Sequence, residues 1–306
     1  MHSFLRDLEY FAVIAEHGQL QRAAVALGLS QPALSLSLRR LEQATKARLL
    51  KRTPKGIELT SVGTSLLARV SKLRLSVDDV TREIADLGEG RAGHLRIGTA
   101  GGDALELVPL ACEALLKEAP RVTVKITVHE TSGMLAGLRN GELDLAIPNL
   151  QETHHEDLVE EYTHDDAWVI YASANHRLAK RKSVTLADLA GERWVTPSAN
   201  SIVVRRLSAE FSKKGLPSPV TAIETSYMPT RHHLVAATDL LAIGARPNVR
   251  YAAARFGIVE LRVKDFTHTR RGGVLYRKDA YLSPAARRFI EILKATAREI
   301  AAGKDG

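Results

Sequence analysis

The 306-residue chain holds a single cysteine, Cys112. One thiol excludes an intramolecular disulfide framework. No run of about 18 apolar residues occurs, so no membrane span is expected. The opening Met1-His2-Ser3-Phe4-Leu5-Arg6-Asp7 reaches charge too soon for a secretory leader. Together these features lead to an expectation of a cytoplasmic protein. Signatures of catalysis are also missing. The pairs His154-His155 and His232-His233 lack the i, i+4 spacing that sets two ligands on one helix face. They and His164 are expected at the surface, with no metal site. Gly98 to Gly102 is glycine-rich but matches neither phosphate-binding fingerprint. There is no Gly-x-Ser-x-Gly elbow. Cys112 lies among Leu110, Leu115 and Leu116 in an amphipathic stretch and reads as core. No enzyme activity, catalytic residue or resident cofactor is expected.

Hydrophobic residues make up 45% and charged residues 25%, the profile of a globular protein of two or three domains. The net charge of +8 permits an anionic partner. Residues 1–60 carry nine Lys/Arg against five Asp/Glu, and residues 264–306 ten against five. A solvated surface explains either excess equally well. The N-terminal one gains meaning from the motif around it.

Leu5, Leu8, Phe11, Ala12 and Ala15 recur at helical spacing, and Gly18 can end that helix. A short helix from Leu20 to Leu27 is rich in small residues: Ala23, Ala24 and Ala26. Gly28 supplies a tight turn. Ser30 then caps a helix running to about Ala44, with Pro32 in its first turn. Leu34, Leu38 and Leu41 face inward in this reading. Helix, glycine turn and capped helix make a helix-turn-helix, whose second helix enters the major groove. Gln31 suits adenine, and Ser35 suits a base or a phosphate. Arg39 and Arg40 suit phosphates. The flanks of Thr53-Pro54-Lys55-Gly56 read as a hairpin with Arg52 and Lys55 at its tip, a basic wing.

These residues resemble the LysR-type transcriptional regulators. The resemblance rests on Ala23-Ala24, Leu29-Ser30-Gln31-Pro32-Ala33-Leu34-Ser35, Leu41-Glu42, Arg52 and Leu59-Thr60. The chain departs from the family at three places. Thr45-Lys46 stands for the usual Leu-Gly, which implies a looser turn after the recognition helix. Leu50 stands for the usual Phe, and Leu36 for a basic or polar residue.

Thr60 can cap the next helix. Leu66, Val70, Leu73, Val77, Val80, Ile84 and Leu87 follow at spacings of 4, 3, 4, 3, 4 and 3, an a/d seam for dimerisation. A dimer implies a roughly palindromic site on double-stranded DNA. The resemblance adds a homotetramer built from two dimers. Gly88, Gly90 and Gly93 mark a hinge.

Beyond the hinge, strand and helix patterns alternate. Strands are read at His94–Ala100, Val122–Val128, Leu143–Ile147, Ala167–Tyr171, Trp194–Thr196, Val220–Thr225, Leu240–Ile243, Ile258–Val263 and Gly273–Tyr276. Helices are read from about 103 to Glu118 and at Ser132–Arg139, Ser201–Lys214, Pro229–Ala237 and Ser283 to about Ile300. Alternation implies mostly parallel sheets with crossover helices. Two lobes joined by crossings near 164 and 266 match the build of periplasmic binding proteins, and Asn140 to Ile147 resembles a phrase of the LysR-type effector domain.

The fold class is therefore α+β multidomain: a winged helix-turn-helix at 1–60, a coiled-coil linker helix at 61–88, a hinge at 89–93 and a two-lobed α/β domain at 94–306. Lobe I takes 94–164 and 267–306, and lobe II takes 165–266. Ligands of such lobes meet strand ends and helix N-termini. The candidates are Thr99, Ala100, Gly101, Gly102, Thr131, Ser132, Pro197, Ser198, Asn200 and Ser201, with Tyr227 as an aromatic wall. The expected function is transcriptional regulation of a promoter, with access for RNA polymerase, switched by a small carboxylate or other anion. A solute-binding protein or small enzyme would use the same lobes, but needs neither wing nor seam.

Overall fold

The computed structural model describes residues 2–54, 56–89, 93–150, 155–199, 201–266 and 268–302. The chain divides into two compact units, Met1–Ile84 and Ala85–Gly306. The division falls inside a helix, ahead of the glycine hinge, whose residues 90–92 lie outside the described residues.

The first unit opens with α1 (His2–His17), α2 (Leu20–Ala26) and α3 (Gln31–Thr45). Gly28 turns between α2 and α3 with φ +64°. Strands β1 (Leu50–Thr53) and β2 (Gly56–Leu59) pair antiparallel, with Leu50 opposite Leu59 and Thr53 opposite Gly56. The helix α4 (Ser61–Glu89) follows. Leu8, Phe11, Leu41, Leu49 and Val70 form one core cluster. Ile14, Ala23, Ala24 and Leu34 form another, where the alanines let α2 approach closely. Lys46 closes α3 in the left-handed conformation, φ 51°. The turn thus keeps a glycine's geometry despite lacking the glycine, contrary to the looser turn expected.

In the second unit β3 (His94–Thr99) pairs in parallel with β4 (Thr123–Val128) and β5 (Leu145–Ile147). Helices α5 (Leu107–Glu118), α6 (Thr131–Arg139) and α11 (Pro284–Ala301) accompany them. Leu95, Ile97, Val108, Leu115, Phe289 and Leu293 are among the buried side chains that close this lobe's core. Cys112 is buried there.

The crossing strands are longer than the sequence suggests. β6 runs unbroken over Leu158–Ser173 and β11 over His268–Arg277. They pair antiparallel along their length, with a register shift between Gly272 and Gly273 opposite His164. The polar half of β6, Leu158 to Asp166, hides its strand character because pairing rather than apolar alternation holds it. β9 (Ala242–Ala245) and β10 (Ile258–Glu260) also pair antiparallel with β6. The seven-stranded sheet is therefore mixed, with parallel pairing confined to the first lobe, which corrects the mostly parallel expectation. β7 (Arg193–Thr196) and β8 (Val220–Glu224) form a separate parallel pair.

Helices α7 (Leu186–Leu189), α8 (Ile202–Lys213), α9 (Met228–Ala237) and α10 (Arg246–Phe256) complete the second lobe. Its core includes Trp194, Phe211, Leu207 and Ile243. The sequence reading leaves α7 and α10 unassigned. In α10, Arg246, Arg250 and Arg255 blur the apolar period, yet Pro247 opens it and Gly257 closes it at φ 66°.

Candidate functional site

Two surfaces carry the chemistry. The first is the outer face of α3. Ser30 caps the helix, the Ala33 amide donating to Ser30 Oγ at 3.3 Å. Leu34, Ser37 and Leu41 point into the head. That leaves Gln31, Pro32, Leu36 and Arg39 exposed and Ser35 half-buried. Arg40 departs from the reading as a phosphate ligand. Its Nε and Nη2 donate to Asp7 at 3.1 and 2.7 Å, and Ser37 Oγ donates to the same carboxylate. Burial pushes the Asp7 carboxyl upward, but these bonds outweigh it and hold it below its ordinary value. Arg40 thereby ties α3 to α1. The Arg52 side chain and Lys55 lie outside the described residues, although β1 and β2 form the hairpin that carries them.

The seam along α4 divides. Val70 is buried in the head's own core and Leu66 packs beside it, so these two positions serve the head. Arg74 also fastens α4 to α1, through Glu16 at 2.9 Å and the Glu9 carbonyl at 3.0 Å. Leu73, Val77, Val80 and Ile84 are exposed large apolar side chains. The Leu87 side chain lies outside the described residues.

The second surface is a cavity of about 570 Å³ within the two-lobed unit. That size suits a small-molecule ligand. Four helices begin at it: α6 with Thr131 and Ser132, α8 with Ser201 and Ile202, α9 with Met228, and α10 with Ala245 and Asn248. Their unpaired amides and aligned dipoles favour negative charge. Ala100, Gly101, Gly102 and Pro197 also line it. A Cβ at Gly102 would stand 2.3 Å from Asn248 Nδ2, so only glycine lets that side chain lie where it does. Ser201 makes no cap bond with its side chain, and its Oγ is buried without a partner among the described residues.

Three positions depart from the expected site. Thr99 is fully buried and its Oγ1 donates to the Ala100 carbonyl at 3.3 Å. Tyr227 is 68% exposed and, like Ser198, is not among the lining residues. Asn200 lies outside the described residues. The aromatic wall is instead Trp168 on β6.

Two family models match the chain: "Bacterial regulatory helix-turn-helix protein, lysR family" over residues 5–64, and "LysR substrate binding domain" over residues 88–298. The chain belongs to the LysR family. It is a DNA-binding transcriptional regulator with an effector-binding domain. Among its relatives, the HTH-type transcriptional regulator GbpR of Azospirillum brasilense is 28% identical over 95% of this chain and 86% of that one. The SDS degradation transcriptional activation protein of a Pseudomonas species is 30% identical over 92% of each. Full-length CbnR in complex with its target DNA shares the fold, with a TM-score of 0.64 at 22% identity over 95% of this chain and 99% of that one. ArgP of Mycobacterium tuberculosis does so with a TM-score of 0.69 at 16% identity, over 95% and 96%.

In this LysR-family chain the cavity gathers residues that the sequence reading misses. Arg205, Arg231 and Arg270 line it, with Glu130 as the lining acid. Arg270 is 3% exposed and matched by Asp103 and Asp166. Its Cζ stands 5.7 Å from the Trp168 ring centroid, so the cation faces the aromatic wall. Arg231 is 4% exposed, and among the described residues its Nη2 donates only to the Met228 thioether, at 3.3 Å. Burial pulls its pKa down while Tyr171 pulls the other way. His232, expected at the surface, is buried, as is His164. Its ring lies 5.7 Å from that of Tyr171. Burial, aided by Arg231, takes its pKa down to about 4, and burial pushes Tyr171 up to about 12. His155 is half-buried and His154 lies outside the described residues. Among the described residues no group of His, Cys, Asp or Glu could hold a metal ion. No described helix is long and apolar enough to cross a membrane.

Proposed function

We propose that the protein reads a roughly palindromic operator as a homodimer and is switched by a small anion held between the lobes. Gln31 and Ser35 read bases, Pro32 sets the helix entry, and Arg39, with Arg52 and Lys55 of the wing, holds phosphates. Leu73, Val77, Val80 and Ile84, continued by Leu87, form the dimer seam, and two dimers make the tetramer. It acts in the cytoplasm near a promoter, where it alters DNA bend and RNA polymerase access, without catalysis or a resident cofactor.

The observation that carries this reading is the meeting of four helix N-termini at one cavity in a chain whose head presents Gln31 and Arg39. Such a cavity favours an anion in the state that closes around it. A ligand that binds one lobe arrangement better shifts the population toward it. The coupling is reciprocal: operator changes effector affinity by the factor by which effector changes operator affinity.

The test is fluorescence anisotropy with the DNA upstream of this protein's own coding region against random DNA of equal length, at physiological salt. A preference of about 10³ or more is expected. Equal weak binding to that DNA and to every operator candidate tried would refute sequence-specific regulation.

A further inference from the structure

Arg231 has no acidic partner among the described residues, although it lies 4% exposed at the wall of the cavity. Its Nε is buried without a protein acceptor. Buried arginines in the same unit are handled otherwise: Arg270 meets two carboxylates. A buried charge without a partner is destabilising, and folds retain one where a ligand supplies the missing charge. Ser201 Oγ, which lines the same cavity, is a second buried group without a partner among the described residues. Apolar side chains also line the cavity, Trp168, Ile202, Val203, Met228 and Ile243, beside the polar groups of its other loops.

We infer that the ligand is an amphipathic carboxylic acid, whose carboxylate sits on Arg231 and Ser201 and whose apolar body lies along Trp168, Ile202 and Ile243. This deepens the reading of the cavity as the effector site and rests on it. Arg231 is the anchor because its charge is otherwise unanswered. Arg270 positions the aromatic wall, its own charge being matched already. Tyr171 and His232 are the titratable groups that Arg231 interacts with electrostatically. Burial keeps Tyr171 a neutral phenol and His232 a neutral ring, so neither offers the guanidinium a competing anion.

The experiment compares the thermal unfolding of the full chain with that of Arg231→Met and Arg231→Lys, without added ligand. Arg231→Met removes an unanswered charge and keeps much of the volume, so its Tm rises, by roughly 2–4 °C for a gain typical of a single substitution in a domain of this size. Arg231→Lys keeps the charge and shows no rise. A lower Tm for Arg231→Met, or failure to fold, would show that Arg231 holds the structure and would overturn the anchor. The second arm titrates benzoate, 3-phenylpropanoate and octanoate at millimolar concentration against their uncharged amides and against inorganic phosphate. At least one acid raises the wild-type Tm saturably, its amide does not, and Arg231→Met weakens the effect tenfold or more. Equal shifts by acid and amide, an equal shift by phosphate, or no shift by any acid overturns the amphipathic-acid assignment. Neither arm uses DNA, so failure here is distinct from failure of operator preference, which would strike the regulator reading itself.

Discussion

Arg270 on β11 donates to Asp166 Oδ2 on β6 at 2.9 Å. The same guanidinium reaches Asp103 Oδ1 at 2.7 Å and also donates to Asn149. β6 and β11 are the two strands that cross between the lobes, so one buried arginine binds both crossings to the turn after β3. Arg270→Ala would strand two carboxylates, whose side chains are nearly as covered as its own. We expect a loss of about 3–5 kcal/mol, the usual cost of removing one partner from a buried ion pair. Chemical denaturation followed by far-ultraviolet circular dichroism checks this. A loss below about 1 kcal/mol would mean that water reaches the carboxylates readily.

Lys46 is the one described residue other than glycine at positive φ, 51°. A left-handed lysine is strained by its Cβ against the following carbonyl. Lys46→Gly should stabilise the protein by up to about 1 kcal/mol, less the added freedom of the unfolded chain. Urea unfolding with an unchanged m-value is the check. Destabilisation would locate the value of Lys46 in its side chain.

His232 makes stability depend on pH. Its folded pKa of about 4 lies below the unfolded value of 6.5. Between these values the unfolded chain binds the extra proton. Stability is therefore full above about pH 6.5 and falls as pH drops toward 4, at most by about 1.4 kcal/mol per pH unit from this group. His232→Asn should flatten that window in a pH series of thermal melts, and Arg231→Met should narrow it by removing one cause of the depression. An unaltered slope in both variants would reassign the acid sensitivity to another group.

The roles proposed for the exposed face of α3 predict separate effects on reading and on holding DNA. Gln31→Ala and Ser35→Ala should erode the preference for operator over random sequence. Arg39→Ala should weaken both alike and reduce the salt slope by about one. Arg40→Ala should act through the fold instead, because it releases Asp7 from the pair at 2.7 Å. Anisotropy across a salt series, beside a thermal melt, tells these cases apart. Unchanged stability in Arg40→Ala together with a reduced salt slope would restore Arg40 to the phosphate contacts.

The seam predicts a third separation. Val77→Asp with Ile84→Asp should convert a dimer to monomers in sedimentation velocity, since both side chains are exposed. Val70→Asp should unfold the head, because Val70 is buried within it. A dimer that survives the double substitution would place the contact elsewhere.

The head was legible because its signals are local. Gly28, Ser30 and Pro32 state a turn, a cap and a first turn within five positions, and Ala23-Ala24 states close packing. The loop halves of the cavity were legible for the same reason: Gly101, Thr131, Pro197 and Ser201 lie where a strand hands over to a helix. Tyr227 misled, since its place beside a strand end says nothing of which way its ring turns. Heptad spacing equally cannot tell a seam from a core, so Val70 and Val77 look alike in sequence and differ in burial.

By itself the sequence determined the order of the elements apart from α7 and α10, the capped recognition helix, the two α/β lobes and the family, because each follows from periodicity or from a motif a few residues long. Only the tertiary structure decided the site's charge. Arg231, Trp168 and Arg270 come from α9, β6 and β11, and no spacing links them. Whether an arginine is matched, as Arg270 is by Asp103 and Asp166, or left unanswered, as Arg231 is, depends on groups brought within a few ångströms by folding. Coulomb energy and desolvation at such distances cannot be read along a chain.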